Sequence, residues 1–156
     1  GKAKMSKSLG NCIYLSDEAD EVKKKVMSMF TDPNHLRVQD PGRVEGNPVF
    51  IYLEAFCKPE YFPEFLPEYQ NLEELEDHYR RGGLGDVKVK KFLNKVMQAE
   101  LGPIRARRKE WEQKLPEVFE ILKEGSRVAE AKAAETLKDV KVAMRINYFD
   151  DEDFLN

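Results

Sequence analysis

The sequence predicts a mainly α-helical fold, a bundle of about five helices that ends in a long helix pair. Charged residues make up 35% of the 156 residues and apolar ones 41%, and Leu, Ala, Glu and Lys are plentiful, which is typical of a soluble helical protein. Apolar residues recur at helical spacing over residues 86–104 and again over 116–144. No repeat or low-complexity tract interrupts them.

The N-terminal part predicts a flexible loop that leads into a brief extended segment. Lys, Ser, Gly and Asn dominate residues 1–16, which end in the apolar patch Cys12–Leu15. Ser16 is followed by two acids, as at a helix N-terminus, and predicts a first helix that runs to about Met29. Residues 30–46 hold two prolines and two glycines, so we expect an ordered loop there.

A second helix is predicted from Asn47, because asparagine caps helices and Pro48 suits the first helical position. Its residues are apolar nearly all round, which predicts burial. The three prolines within residues 58–70 predict an irregular connection. A short acidic helix from Leu72 to Arg81 follows, stopped by a glycine pair.

Two long helices are predicted to close the fold. Gly102 and Pro103 interrupt the pattern of the first of them and predict a kink, and Pro116 begins the second. The basic residues of the first of them lie largely off its apolar stripe, and we expect them to face solvent. Residues 17–149 would form one helical domain, and residues 150–156 an acidic tail.

The net charge of −3 is distributed unevenly along the chain. Residues 54–77 hold eight acids and one base, whereas residues 86–114 hold nine bases and four acids. A polyanion could therefore find one favourable face on an acidic protein. The alternative is that these charges form an ordinary solvated helix surface.

Several classes of protein and site are not favoured by the sequence. No apolar run approaches the roughly 20 residues that a membrane span needs, and the start has no apolar stretch of the kind a signal peptide requires. Cys12 and Cys57 are far apart, which favours reduced thiols in a cytoplasmic protein over a disulfide or a structural metal site. His35 and His78 stand in no catalytic motif, and we expect ordinary polar roles for them.

The run Lys4-Met5-Ser6-Lys7-Ser8 carries the clearest chemical signal. Two lysines three apart on a mobile turn can place two ammonium groups on one polyphosphate, and serine hydroxyls and backbone N–H groups can add donors. Cations that close on a departing pyrophosphate favour the transition state over the ground state. The alternative is a disordered basic terminus.

The run resembles the second signature motif of the class I aminoacyl-tRNA synthetases. Later stretches are similar, in order and wording, to the tryptophanyl-tRNA synthetases within that class. They are Thr31-Asp32-Pro33, Asp40-Pro41-Gly42, Glu45-Gly46-Asn47-Pro48-Val49-Phe50, Gly82-Gly83-Leu84-Gly85-Asp86-Val87-Lys88 and Pro103-Ile104-Arg105-Ala106-Arg107-Arg108.

The resemblance implies ligation of tryptophan to tRNA(Trp) through an adenylate made from ATP with Mg²⁺. Lys4 and Lys7 would contact the ATP phosphates, and Met5, Ser6 and Ser8 would shape the loop. Residues 1–16 would end a Rossmann-like catalytic domain that lies upstream. The chain would then be the C-terminal part of the enzyme, and we expect it to be inactive alone because it lacks the amino-acid pocket.

The resemblance also implies that the helices after the loop bind the tRNA anticodon and that the parent enzyme is a homodimer. The candidate RNA-contacting residues are the basic ones of the late helix, Lys88, Lys90, Lys91, Arg105, Arg107 and Arg108. Two alternatives remain open. One is a non-catalytic helical module that binds RNA or protein, and the other is the equivalent part of a tyrosyl-tRNA synthetase.

Two weaker features complete the candidate sites. Gly82–Gly85 before a helix could bind phosphate at the helix N-terminus, but a helix stop and start is favoured, because no strand precedes it. Trp111 could stack on an unpaired base, but its spacing beside Leu115 favours a core-covering role.

Overall fold

A computed structural model describes residues 5–149 of the chain. Every regular element within that range is helical, so the predicted all-α fold is confirmed. A short 3-10 helix, Lys7–Leu9, precedes six α-helices: α1 Ala19–Met27, α2 Pro48–Phe56, α3 Tyr61–Phe65, α4 Leu72–Arg81, α5 Asp86–Glu112 and α6 Leu115–Ala143.

The predicted helix starts are confirmed where capping chemistry is strong. The side chain of Asn47 accepts a hydrogen bond from the Val49 N–H at 3.1 Å, and Pro48 occupies the first turn of α2. Asn71 caps α4 in the same way through the Glu74 N–H. The glycine pair then ends α4 at Arg81, as predicted.

The first helix is shorter than predicted. Its N-cap residue is Glu18 and its first residue Ala19, whereas Ser16 was the predicted N-cap. The carboxylate of Asp17 accepts the Tyr14 N–H at 2.8 Å and the Lys25 ammonium at 2.6 Å. Because these bonds hold Asp17 in a turn outside the helix, α1 starts two residues later.

The connection between α2 and α4 is also more regular than predicted. It contains the five-residue helix α3, with Pro63 as its third residue. Proline is tolerated in a first turn, because the N–H groups there have no intrahelical partner. The apolar patch Cys12–Leu15 forms no strand within the described chain. α5 continues through Gly102 and Pro103 as one helix, and the kink angle stays a prediction.

The chain divides into two compact units, residues 1–109 and 110–156. The core of the first unit is formed by α1 to α5. Its fully buried side chains include two ring pairs, Phe62 on Phe92 and Phe50 on Tyr79, with ring centroids 5.0 and 4.8 Å apart.

Both ends of α1 are pinned to α5. At one end the amide of Gln98 donates to the Ala19 carbonyl at 2.8 Å. At the other end the ammonium of Lys90 donates to the carbonyls of Met27 and Met29 at 3.1 and 2.6 Å. The two helices therefore run antiparallel, and the segment that follows the N-terminal loop is fixed to the longest helix of the first unit.

The loop between α1 and α2 is ordered by the end of α4. The Gly42 N–H donates to the Tyr79 carbonyl at 2.9 Å, and the Gly83 N–H donates to the Val38 carbonyl at 2.6 Å. Gly42 lies so close to the Tyr79 ring that an added Cβ would come within 2.3 Å of it. A glycine is therefore required there for close approach.

The second unit consists mainly of α6, which has no buried residue. Its apolar face, which includes Leu122, Leu137 and Val140, is solvent-exposed within the described part of the unit. None of the helices in residues 5–149 has the length and apolarity needed to cross a membrane.

Candidate functional site

The described part of the signature run, Met5–Ser8, folds as a capped turn. The Ser6 hydroxyl accepts the Leu9 N–H at 3.3 Å and lies 3.1 Å from the Ser8 hydroxyl. Gly10, at φ +62°, donates its N–H to the Lys7 carbonyl at 3.2 Å. The two serines therefore shape the turn on which Lys7 stands.

The turn is anchored to the residues that follow it. The Asn11 side chain accepts the Ser6 N–H at 2.9 Å. Farther on, the hydrogen bond from Lys25 to Asp17 raises the pKa of that lysine, with nearby carboxylate charge adding to the effect. Because Lys25 belongs to α1, the loop's C-terminal end is tied to the helical unit.

Lys7 is exposed at the first position of the 3-10 helix. Within residues 5–149 it makes no ion pair or hydrogen bond through its side chain, so its ammonium is available to an anion. Lys4 lies outside the described residues. The expectation that the two lysines share one polyphosphate stays a prediction.

The six basic residues predicted to contact RNA differ widely in exposure. Lys88 is half-exposed and pairs with Glu68 at 2.5 Å. Lys91 is exposed. Lys90 is only 6% exposed, and its ammonium donates to the carbonyls of Met27 and Met29 at the end of α1. The expectation that the basic side chains face solvent is therefore wrong for Lys90, whose pKa is lowered by burial.

The three arginines of the set lie farther along α5. Arg105 is part-buried and donates to Gln98 at 2.7 Å, and one of its guanidinium nitrogens is buried without a partner among the described residues. Arg107 and Arg108 are exposed. Arg105 therefore has a structural contact that the charge pattern did not indicate.

The exposed members of the set do not form one patch. An α-helix turns about 100° per residue, so Lys88 and Lys91 lie on one side and Arg107 points about 160° away from Lys91. Lys95, four residues after Lys91, lies on the first side as well. The structure thus brings Lys88 and Lys91 together and separates them from the arginines.

A buried polar cluster was missed by the sequence analysis. The side chain of His35 is 1% exposed, and its Nδ1 lies 3.0 Å from Asp86 Oδ2. The Tyr79 hydroxyl donates to the other oxygen of Asp86 at 2.7 Å, and burial, followed by this bond, raises the Tyr79 pKa. His35 is thus part of a specific network. The one feature of the sequence that could have pointed to this cluster was the position of Asp86 at a predicted helix start.

The remaining candidates do not converge on a further site. α4 ends and α5 begins around Gly82–Gly85, as the helix stop and start predicts. Trp111 is 42% exposed, so its predicted core-covering role is wrong, and the Lys114 ammonium lies 5.6 Å from its ring centre. Residues 5–149 contain no group of three His, Cys, Asp or Glu side chains placed to hold a metal.

Comparison with known proteins gives a consistent result over nearly the whole chain. The family model described as "tRNA synthetases class I (W and Y)" matches residues 1–102. The tryptophan–tRNA ligase of Clostridium longisporum is 62% identical over 149 residues, which are 96% of this chain and 41% of that protein. A Streptococcus pyogenes serotype M3 ligase of the same name is 55% identical over 149 residues, 96% of this chain and 42% of its own.

Solved structures give the same likeness at lower identity. The tryptophanyl-tRNA synthetase of Campylobacter jejuni superposes with a TM-score of 0.69 and 27% identity, covering 91% of this chain and 42% of that one. A second structure of that protein, complexed with ADP and tryptophan, has the same TM-score. The chain therefore spans about two fifths of the length of the relatives that it matches.

Proposed function

Because this chain belongs to the class I tRNA synthetase family of the tryptophan and tyrosine enzymes, we propose that it forms part of a tryptophan–tRNA ligase. The observation that carries the proposal is the 62% identity to a tryptophan–tRNA ligase over 149 residues. The exposed Lys7 on a capped turn supports it, because a polyphosphate bound at this turn needs a cation that no carboxylate of the protein already pairs with.

In this proposal the parent enzyme joins tryptophan to ATP, held with Mg²⁺, and then transfers the acyl group to the 3′ end of tRNA(Trp). Lys7, assisted by Lys4, neutralises charge that builds up on the departing pyrophosphate. Residues beyond this chain supply the tryptophan pocket. The parent is a cytoplasmic homodimer, and the 156-residue chain has no activity alone.

The catalytic proposal is tested by tryptophan-dependent exchange of pyrophosphate into ATP in the full-length protein. We expect Lys7→Ala to lower kcat about 100-fold, as for loss of one transition-state donor, with little change in tryptophan affinity. Lys23→Ala is the matched control, because Lys23 is an exposed lysine of α1. Equal loss of kcat and tryptophan affinity would count against a phosphate role.

The tyrosyl alternative is decided in the same assay. Exchange that depends on tyrosine and not on tryptophan would support it. Exchange by the 156-residue chain alone, with tryptophan, would overturn the proposal that residues elsewhere supply the amino-acid pocket.

We propose that the helical part binds tRNA(Trp) through two separate basic places, Lys88 with Lys91 and Arg107 with Arg108. The proposal omits Lys90, because its ammonium is buried. Binding of tRNA(Trp) and an unrelated tRNA at two salt concentrations tests it. Contacts to phosphates alone do not distinguish one tRNA from another. Equal binding of both RNAs would therefore favour the non-catalytic binding module.

Single substitutions test separately whether each of the two basic places contacts the RNA. The logarithm of the binding constant falls linearly with the logarithm of the salt concentration. Loss of one phosphate contact makes this slope shallower by about one. We expect this for Lys91→Ala or for Arg107→Ala, and no change for Lys24→Ala on α1. If neither Lys91→Ala nor Arg107→Ala changes the slope, the proposed phosphate contacts at both places are wrong.

A further inference from the structure

An open cavity of about 590 Å³ lies beside the loop that joins α1 to α2. It is lined by residues of two loop segments, 30–34 and 43–47, and by Ile51 of α2. Its volume falls within the roughly 300 to 1,000 Å³ that is usual for cavities that bind small ligands. None of the lining residues belongs to the signature run or to the two basic places.

Two large apolar side chains of this cavity are half-exposed. Phe30, in the loop after α1, and Ile51, on α2, each leave 49% of their surface open. One exposed apolar side chain is ordinary on a protein surface, but two that line the same cavity offer a surface for a ligand. The flat face of a nucleobase suits this surface, because bases of any identity stack on aromatic side chains.

The two acids that line the cavity are already paired within the protein. The two carboxylate oxygens of Asp32 accept the N–H groups of Asn34 and Arg43 at 2.9 and 3.0 Å. The carboxylate of Glu45 accepts two N–H groups of the Arg80 guanidinium at 3.2 and 3.1 Å. A backbone hydrogen bond, followed by the bond from Arg80, lowers the pKa of Glu45. These acids therefore repel an anion less than two unpaired carboxylates would.

Arg43 supplies the cavity with a cation. Its backbone N–H is held by Asp32 at 3.0 Å, which fixes the point from which the side chain extends. The side chain is exposed, and its guanidinium forms no hydrogen bond or ion pair within residues 5–149. A guanidinium pairs with phosphate through two parallel N–H donors. The cavity thus combines an apolar surface with one unpaired guanidinium, which match the base and the phosphate of a nucleotide.

We propose that this cavity binds one unpaired nucleotide of tRNA(Trp), with its base against Phe30 and Ile51 and its phosphate on Arg43. The inference rests on the proposed function, in which the helical part binds that RNA. A base within a duplex presents only its edges, so only an unpaired nucleotide can lay its face on these side chains. The two basic places would contact phosphates, whereas this cavity would add a base contact whose strength does not depend on salt.

The position of the base is tested by NMR of the full-length protein labelled with ¹³C at the isoleucine δ1 methyl groups. The Ile51 signal is identified by its disappearance in Ile51→Val. Saturation with tRNA(Trp) is expected to move this signal, because the ring current of a stacked base shifts a methyl group beneath it. A blunt RNA duplex without unpaired nucleotides is the control and should leave the signal in place. An Ile51 signal that tRNA(Trp) does not move, or that the duplex moves equally, overturns the proposal.

The base contact is tested by the affinity of variants for tRNA(Trp). We expect Phe30→Ala to weaken binding about 5- to 150-fold, as for loss of one stacked base, and to leave the slope against salt unchanged. Phe30→Trp should retain the affinity, since an indole also stacks. Phe56→Ala is the matched control, because Phe56 is 41% exposed in the same unit but lies outside the cavity. Binding by Phe30→Ala as tight as wild type, or equal losses in Phe30→Ala and Phe56→Ala, would contradict the base contact.

The phosphate contact is tested by the salt dependence of the same binding. We expect Arg43→Ala to make the slope shallower by about one. Arg37→Ala is the matched control, because Arg37 is an exposed arginine of the same loop that does not line the cavity. If Arg43→Ala leaves the slope unchanged, or if Arg37→Ala changes it equally, the proposed phosphate contact is wrong.

The outcomes separate this inference from the function on which it rests. Tryptophan-dependent pyrophosphate exchange belongs to the first step, before tRNA takes part. If the wild-type protein performs exchange and binds tRNA(Trp), but the cavity variants bind it equally well, the inference is wrong and the proposed function stands. If the wild-type protein performs no exchange, the proposed function is wrong, and the response of the Ile51 signal to tRNA(Trp) still decides whether the cavity takes an unpaired nucleotide.

Discussion

The Nδ1 atom of His35 lies 3.0 Å from Oδ2 of Asp86, which joins the loop after α1 to the first residue of α5. An ionised carboxylate only accepts hydrogen bonds, so Nδ1 carries the proton and donates it to Asp86. The Tyr79 hydroxyl donates to the second oxygen. One carboxylate therefore satisfies two buried donors.

We expect Asp86→Ala to lower the free energy of unfolding by about 2 to 4 kcal/mol, because two buried donors would lose their acceptor. Asp20→Ala is the control, since Asp20 is an exposed acid in the first turn of α1, and should cost no more than about 0.5 kcal/mol. Urea unfolding followed by circular dichroism measures both. Equal costs for the two variants would show that the network contributes nothing specific.

The buried ammonium of Lys90 gives a second prediction. Lys90→Ala should destabilise the first unit by about 2 to 3 kcal/mol, because two carbonyls at the end of α1 would lose a charged donor. The neighbouring Lys91→Ala should change the free energy of unfolding by less than about 0.5 kcal/mol, as is usual for exposed sites. A loss in the second variant as large as in the first would contradict the assignment.

Two glycines should respond to alanine with opposite signs. Gly42→Ala should destabilise by about 1 to 3 kcal/mol, because its Cβ would meet the Tyr79 ring at 2.3 Å. Gly125 lies within α6, with no atom within 4 Å of an added Cβ. Gly125→Ala should therefore stabilise α6 by up to about 1 kcal/mol through helix propensity. Thermal unfolding of the two variants, side by side, checks both signs.

Burial, aided by the negative charge of Glu60, raises the pKa of the Cys57 thiol from 9.0 to about 11. The contribution of this group to stability is fully present below pH 9. It is lost as the pH rises from 9 to 11, because the unfolded thiol then releases its proton and the folded one does not. Wild-type protein should therefore lose more stability than Cys57→Ser between pH 8.5 and 10.5. The tyrosines with raised pKa values are common to both proteins, so the difference isolates Cys57. Parallel stability curves would contradict it.

Local sequence was sufficient where a helix terminus depends on its own residues. Asn47, Asn71 and the glycine pair after Arg81 cap or stop helices through bonds to neighbouring residues, and those boundaries were predicted correctly. The start of α1 was not, because Asp17 bonds to Lys25, eight residues later. The helix around Pro63 was missed because proline ends a helix in most positions but is tolerated in a first turn.

The chemistry of the candidate site stays a prediction, and its geometry could be predicted only in part. The lysine and serine pattern pointed to the loop, and the turn around Lys7 follows from the serines that cap it. The roles of Lys90 and His35 could not be predicted, since their partners lie 51 to 63 residues away in sequence. Charge alone also grouped Lys91 with Arg107, whereas helix geometry places them on different sides.

Because Lys90 is buried and Lys91 is exposed, the relative reactivity of the two lysines reports on the opening of the first unit. An amine-directed acylating reagent reaches the exposed Lys91 in the native state, but Lys90 only after α1 has separated from α5. The two adjacent lysines share one peptide and one sequence context, so the ratio of their modification cancels differences in reagent dose and peptide recovery. That ratio, followed by mass spectrometry, measures how often the first unit opens, even in a crude extract.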